Sequence, residues 1–174
     1  MSLEQIKNLI PDYAKDIRVN LGNVLTEEGA PGLTRQQIFS IALTCAYTLG
    51  NNKITEAILS EAKTSLDDAH VNAAKSASSI MAMNNIYYRF LHLSKDPELG
   101  KLPARLRMTV IGNPGVEKSL YEANCLAASI LTGCENCIKS HIAEVKKGGI
   151  NLEGVQSIGR IAAVLNAVNQ SLKE

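Results

Sequence analysis

This sequence predicts an all-α fold, and three observations carry the prediction. Aromatic side chains make up only 4% of 174 residues and tryptophan is absent, while alanine and leucine are plentiful. That balance suits helices better than sheets. Apolar residues recur at spacings of three and four along most of the chain, which is the period of a helix face. Helix start and stop signals punctuate those stretches: Ser/Thr-x-x-Gln boxes at the beginnings and single glycines at the ends.

Taken in order, Ser2-x-x-Gln5 is a capping box that opens a short helix to Ile10. Pro11 favours a fresh start, with Tyr13, Ile17, Leu21 and Leu25 on one face, before Gly29-Ala30-Pro31-Gly32 breaks the pattern. Thr34-x-x-Gln37 caps the next helix. It is apolar on most sides and stops at Gly50, so it reads as a buried central helix. Asn51-Asn52-Lys53 reads as a polar loop, and Ile54 to Lys63 as a helix ending near Ser65. Asp67 or Asp68 then starts a long helix through about Leu93, with Val71, Ala74, Ala77, Met81, Ile86, Phe90 and Leu93 as its apolar marks.

From Ser94 to Pro114 the residues Pro97, Gly100, Pro103, Gly112 and Pro114 predict a connector with one short helical turn. Helices resume near Val116 and stop at Gly133. Cys134 opens the next helix, which ends at Gly148-Gly149. Asn151 caps the last, with Leu152, Val155, Ile158, Ala162, Leu165 and Val168 facing in. The helices around Ile41 and Ala127 are alike, each small-residue rich and stopped by glycine. This hints at a degenerate internal repeat within a single domain over 1–174. The half over about 1–95 lacks the cysteine motif, and the half over about 114–174 carries it.

Charge and cysteine use narrow the function. With 18 basic and 17 acidic residues mixed along the chain and a net charge of +1, no nucleic-acid footprint is present. No run of about 18 apolar residues exists to span a membrane. The first residues show no secretory leader pattern. Cys45, Cys125, Cys134 and Cys137 are spaced too unevenly for a secreted disulfide framework. A cytoplasmic protein with one working thiol pair is expected.

The chemistry gathers in Gly133-Cys134-Glu135-Asn136-Cys137-Ile138-Lys139-Ser140-His141. On a helix, positions 134, 137 and 141 share one face. The two cysteines are then close enough to form a disulfide, and the helix N-terminus favours thiolate. His141, one turn beyond Cys137, is placed to accept its proton. Glu122 lies on a separate helix beyond the Gly133 turn. If those helices pack antiparallel, its carboxylate reaches His141 and raises the basicity of the ring.

This pattern reads as a peroxide-reducing or disulfide-exchanging dithiol, in which one thiolate is oxidised to sulfenic acid and its neighbour closes the disulfide. A structural zinc site would need two more ligands. Only His70 and His92 remain and no second Cys-x-x-Cys exists, so no metal is expected. Cys45 and Cys125 read as inert core thiols, His70 and His92 as surface or packing residues, and Lys139, Lys146 and Lys147 as a solvated helix face.

The spacing of Glu122, Cys134, Cys137 and His141 resembles the AhpD alkylhydroperoxidases, within the wider carboxymuconolactone decarboxylase-like superfamily. That family's pattern is a glutamate, eleven residues, then Cys-x-x-Cys-x-x-x-His. Met81-Ala82-Met83-Asn84-Asn85-Ile86-Tyr87-Tyr88-Arg89, Leu106-Arg107-Met108 and Asn113-Pro114-Gly115 extend the likeness over essentially the whole chain. The resemblance implies an all-helical fold with an internal repeat, a homotrimer or a multiple of one, and a role in antioxidant defence. It implies reduction of alkyl hydroperoxides or of an oxidised AhpC-type peroxiredoxin. It also implies that no cofactor is tightly bound and that electrons come from dihydrolipoamide on a 2-oxoacid dehydrogenase acyltransferase, supplied through dihydrolipoamide dehydrogenase. By the same resemblance Cys137 forms the sulfenic acid, Cys134 donates a proton and closes the disulfide, and Glu122 and His141 form the activating relay.

One position departs from the pattern. The residue before the second cysteine, a histidine in well-known family members, is Asn136 here. It can hydrogen-bond but carries no proton at neutral pH. Two other readings stand beside the peroxidase: a carboxymuconolactone decarboxylase-type lyase, and a non-enzymatic thiol redox sensor.

Overall fold

The computed structural model describes residues 1–173. Among these are nine α-helices and two short 3-10 turns, with no strand. Helix α1 (Leu3–Leu9) carries the expected Ser2/Gln5 capping box, and α3 (Arg35–Leu49) the expected Thr34/Gln37 box. In each, the hydroxyl accepts from the backbone N–H three residues on while the glutamine side chain accepts from the cap N–H. Two otherwise orphaned donors are thereby satisfied.

Several elements differ from the sequence reading. Pro11 starts a 3-10 turn (Asp12–Ala14) rather than an α-helix; α2 follows over Lys15–Val24. Arg18 fixes that entry by donating to the Ile10 carbonyl and, at 3.1 Å, to Asp12 Oδ1. Tyr13 is consequently exposed. Asn51 is no loop residue: its Oδ1 accepts from the N–H groups of Lys53 and Ile54, so α4 (Asn52–Ala62) begins at once. The connector holds two helical turns instead of one, α6 (Pro97–Lys101) and a 3-10 turn (Thr109–Ile111).

Helix α5 (Asp68–Ser94) starts from its Asp67 cap as expected, but Ile86, Phe90 and Leu93 are exposed on it. In the same stretch Asn84 and Asn85 are buried. The face that turns inward is thus the polar one, because it meets a functional cavity and a helix end rather than the apolar core. Leu152, also expected inside, is exposed. Helices α7 (Lys118–Thr132), α8 (Glu135–Lys147) and α9 (Leu152–Ser171) follow, the last capped by Asn151.

The core centres on α3 and α7, which pack against each other. Helix α5 lies on both of them, and so does α9. The two helices end alike. Gly50 (φ 67°) and Gly133 (φ 69°) each adopt the left-handed conformation, and the next residue, Asn51 or Cys134, caps the following helix. Superimposing the glycines sets Phe39, Asn51, Ile54 and Ile58 against Glu122, Cys134, Cys137 and His141. Phe39, Ile54 and Ile58 are all buried, each isoleucine contributing about 1.5–3 kcal/mol by leaving water. One copy of the unit therefore fills with hydrocarbon what the other fills with chemistry.

A left-handed residue at the α7 stop should be obligatory. A Cβ at Gly133 meets nothing within 4 Å, so Gly133→Ala carries only the backbone penalty, about 1 kcal/mol. Urea unfolding should show a correspondingly lower midpoint; an unchanged midpoint would remove the conformational argument for this turn.

Candidate active site

The Gly133 turn folds α8 back along α7. Gly133 N–H bonds the carbonyls of Ser129 and Ile130, and Cys134 N–H bonds Ser129 at 3.3 Å. Helix α5 locks the same corner from outside. Asn85 donates from Nδ2 to Thr132 Oγ1 (2.7 Å) and accepts from Ser129 Oγ (3.0 Å), while Arg89 donates to the Thr132 carbonyl. The last turn of α7 is thus held on two sides immediately before the first cysteine.

Cys134 and Cys137 stand as a disulfide with their Cα atoms 5.3 Å apart. Cys134, the α8 cap, is fully enclosed, whereas Cys137 in the first turn is 7% exposed. Across the turn, His141 Nδ1 lies 2.7 Å from Glu122 Oε2. Both side chains are largely buried, at 12% and 6% exposure. A buried carboxylate requires such a partner. A carboxylate oxygen accepts, so Nδ1–H is the donor of this bond and Nε2 is the ring nitrogen outside it. Nε2 faces Met81 Sδ at 3.3 Å.

Cys137, His141 and Glu122 share the wall of a cavity of about 310 Å³ with Asn136, Ser140 and Glu144 of α8 and with Met81, Asn84 and Tyr88 of α5. Met108 and Ile111 of the connector close it. All five residues expected at the site are therefore brought together, with Asn136 on the cavity wall beside Cys137 and Cys134 just behind it. The sequence reading missed the α5 wall as a functional surface. Its signal was present: Met81, Asn84 and Tyr88 fall at helical spacing within the stretch that carries the family resemblance. Ser140 and Glu144 continue the face of Cys137 by steps of three and four. Met108 and Ile111 sit in an irregular segment that carries no periodic signal.

The other two cysteines are sorted by environment. Burial pushes the Cys45 thiol from 9.0 up to about 12. Burial, and secondarily the Glu122 carboxylate, raises Cys125 well above 9.0. His70 is held by Asp67 Oδ1 at 2.6 Å, and His92 lies 3.4 Å from the exposed Glu135. Among the described residues no group of three or more His, Cys, Asp or Glu side chains is arranged to hold a metal ion.

Comparison with known proteins bears directly on this arrangement. Residues 97–173 match the Carboxymuconolactone decarboxylase family. A relative in Rhodospirillum centenum, an alkyl hydroperoxide reductase AhpD, is 50% identical across 97% of this chain and 89% of its own. The chain belongs to the AhpD family. AhpD of Coxiella burnetii is 46% identical across 97% of this chain and 95% of its own, and AhpD of Streptomyces griseus subsp. griseus 44% across 99% and 96%. The AhpD likeness thus covers the α5 wall and the connector as well as the cysteine helix. No helix among the described residues is long and apolar enough to cross a membrane.

Thiol labelling separates the two classes of cysteine. In reduced, folded protein at pH 8, iodoacetamide should modify Cys137, which meets the cavity, and leave the fully enclosed Cys45 and Cys125 untouched until denaturant is added. Mass mapping of the adducts checks it. The same burial sets a pH dependence. The fold holds the Cys45 proton more tightly than the unfolded chain does, so this contribution to stability is full below pH 9 and is lost as pH rises toward 12.

Proposed function

We propose that the protein is a thiol peroxidase that reduces alkyl hydroperoxides through a Cys134/Cys137 dithiol–disulfide cycle. The observation that carries this reading is the cysteine pair whose Cys137 lines a cavity that also holds the buried Glu122–His141 couple. The names of the AhpD relatives support the same reaction class. A passive disulfide has no need of a buried proton relay beside it, and a lyase has no need of the cysteine pair.

In the reduced protein, His141 takes the Cys137 proton at Nε2, and Glu122 and the N-terminus of α8 stabilise the imidazolium–thiolate pair. The thiolate sulfur attacks the terminal oxygen of R–O–OH. The S–O bond forms and the O–O bond breaks; sulfur is oxidised to sulfenic acid and the alkoxide leaves, taking a proton to become ROH. The Cys134 sulfur then attacks the Cys137 sulfenic sulfur; the S–S bond forms, the S–O bond breaks, and the hydroxyl leaves as water with the proton given up by Cys134. Exposure supports this division of labour, since Cys137 meets the cavity and Cys134 does not. Dihydrolipoamide is the reductant we propose, reopening the ring by exchange, with a lipoylated acyltransferase and dihydrolipoamide dehydrogenase upstream. An AhpC-type peroxiredoxin is the proposed protein substrate, the cytoplasm the proposed compartment, and a homotrimer or a multiple the proposed assembly. The exposed stripe of Ile86, Phe90 and Leu93 on α5 supports self-association.

A free-thiol count on denatured protein tests the cycle. Four thiols in the reduced chain should fall to two after one equivalent of an organic hydroperoxide, with the link mapped to Cys134–Cys137 and reversed by dihydrolipoamide. Four thiols throughout would sink the peroxidase reading. Cys137→Ser should abolish peroxide consumption; retained turnover would move the reactive role elsewhere. His141→Phe should keep the fold but slow thiolate formation near neutral pH, and a wild-type rate across the pH range would remove the relay.

A further inference from the structure

Two adjacent asparagines on α5 are both buried, yet only one is accounted for. Asn85 uses both ends of its amide to hold the last turn of α7. Asn84, 5% exposed, makes no side-chain hydrogen bond among the described residues, and its Oδ1 is enclosed without a partner. Two other side chains have an unpaired buried polar atom, but each is partnered through another atom: Asn124 donates from Nδ2 to Ser40 Oγ, and Arg18 through its Nη2. Leaving a buried amide unpaired costs about 1–3 kcal/mol. A leucine of similar size would cost nothing of the kind. The amide lines the cavity that contains Cys137 and His141. Its terminal torsion is broad and two-fold, so it can turn either its acceptor or its donor toward an occupant.

We infer that Asn84 binds the hydroperoxide itself, its amide oxygen accepting the hydrogen bond of the R–O–OH hydroxyl. This rests on the peroxidase reading above and adds the group that orients the substrate. The O–H proton stays on the terminal oxygen throughout the attack, passing with that oxygen from peroxide to sulfenic acid. One acceptor therefore serves the substrate, the transition state and the Cys137 sulfenic acid. A thiolate displaces the alkoxide along the O–O axis, so a hydrogen bond that fixes the terminal oxygen also fixes the line of attack. None of the other cavity-lining side chains combines near-complete burial with an unpaired carbonyl oxygen. Met81 Sδ accepts from Ser129 Oγ, and the Glu122 carboxylate is held by the His141 ring.

The test compares two rates on the reduced full-length protein: reaction with cumene hydroperoxide and alkylation of Cys137 by iodoacetamide. The second needs the thiolate but no bound hydroperoxide. Asn84→Leu and Asn84→Ala should each lower the hydroperoxide rate constant about tenfold or more, as loss of one oriented hydrogen bond requires. Alkylation should stay within about twofold. Asn84→Leu should melt at or above the wild-type temperature, because it removes the unpaired amide.

Unchanged hydroperoxide rates would overturn the proposal. So would a parallel fall of both rates, which would make Asn84 a support of the thiolate, and so would loss of the fold in both variants. If wild-type protein fails to form the disulfide with hydroperoxide, the peroxidase reading falls and the role of Asn84 with it. If wild type reacts and the variants react equally well, only the role of Asn84 falls.

Discussion

The arrangement of this protein depends on one buried contact, the 2.7 Å bond between Glu122 on α7 and His141 on α8. A carboxylate at the centre of a helical core is tolerated only with a partner. That requirement fixes how the two helices must lie. They must run back along one another, which demands a tight reversal, which demands the left-handed backbone that Gly133 supplies at φ 69°. The reversal ends on Cys134 as the cap of α8, so the cysteines occupy the positive end of a helix while the histidine stands one turn below. Geometry and electrostatics thus follow from the same pairing. Helix α5 completes it, with Asn85 and Arg89 clamping the end of α7 and Met81 closing over the free nitrogen of the imidazole.

The chain carries a control for this logic within itself. The unit α3–Gly50–α4 resembles the unit α7–Gly133–α8 in order, in its left-handed glycine and in the capping position after it. Where the second unit has Glu122, Cys137 and His141, the first has Phe39, Ile54 and Ile58. The hydrophobic version needs no partnered carboxylate and leaves no cavity wall of reactive groups. The turn therefore belongs to the fold, and the candidate site differs from its hydrophobic counterpart by the side chains set upon it. The fates of the cysteines make the same point: burial raises the Cys45 and Cys125 thiols and holds them as core residues, whereas Cys134 and Cys137 are paired as a disulfide at the helix start.

Much of this was legible in the sequence. The capping boxes at Ser2 and Thr34, the glycine stops, the central buried helix and the convergence of Glu122, Cys134, Cys137 and His141 all follow from local rules of spacing and backbone freedom. What was not legible has a common cause. Periodicity shows that α5 has an apolar face but not what that face meets. Ile86, Phe90 and Leu93 point outward because the inward side of α5 at that level faces the cavity and the clamp on α7. Asn51 looked like loop because a capping asparagine and a loop asparagine differ only in whether a helix needs the acceptor. The connector wall, Met108 and Ile111, is placed by tertiary contact alone.

The polarity of α5 at Asn84, Asn85 and Tyr88 bears on how such a site persists. A core of leucine and isoleucine here would be more stable, because no amide would need satisfying and no cavity would remain. The protein instead keeps about 310 Å³ of space beside its reactive sulfur and lines it with side chains that can hydrogen-bond. Asn85 offsets its own burial by holding the turn before Cys134. Asn84 has no such compensation among the described residues, so its burial is a cost that the fold carries and that, on our proposal, an occupant of the cavity relieves. On the proposed peroxidase reading, in which a histidine and a helix end activate the thiolate, little further help with charge is needed. What that reading still requires is to hold a small, flexible oxidant in line with the sulfur, and the proposed role of Asn84 on α5 meets it at the cost of about one hydrogen bond's worth of stability.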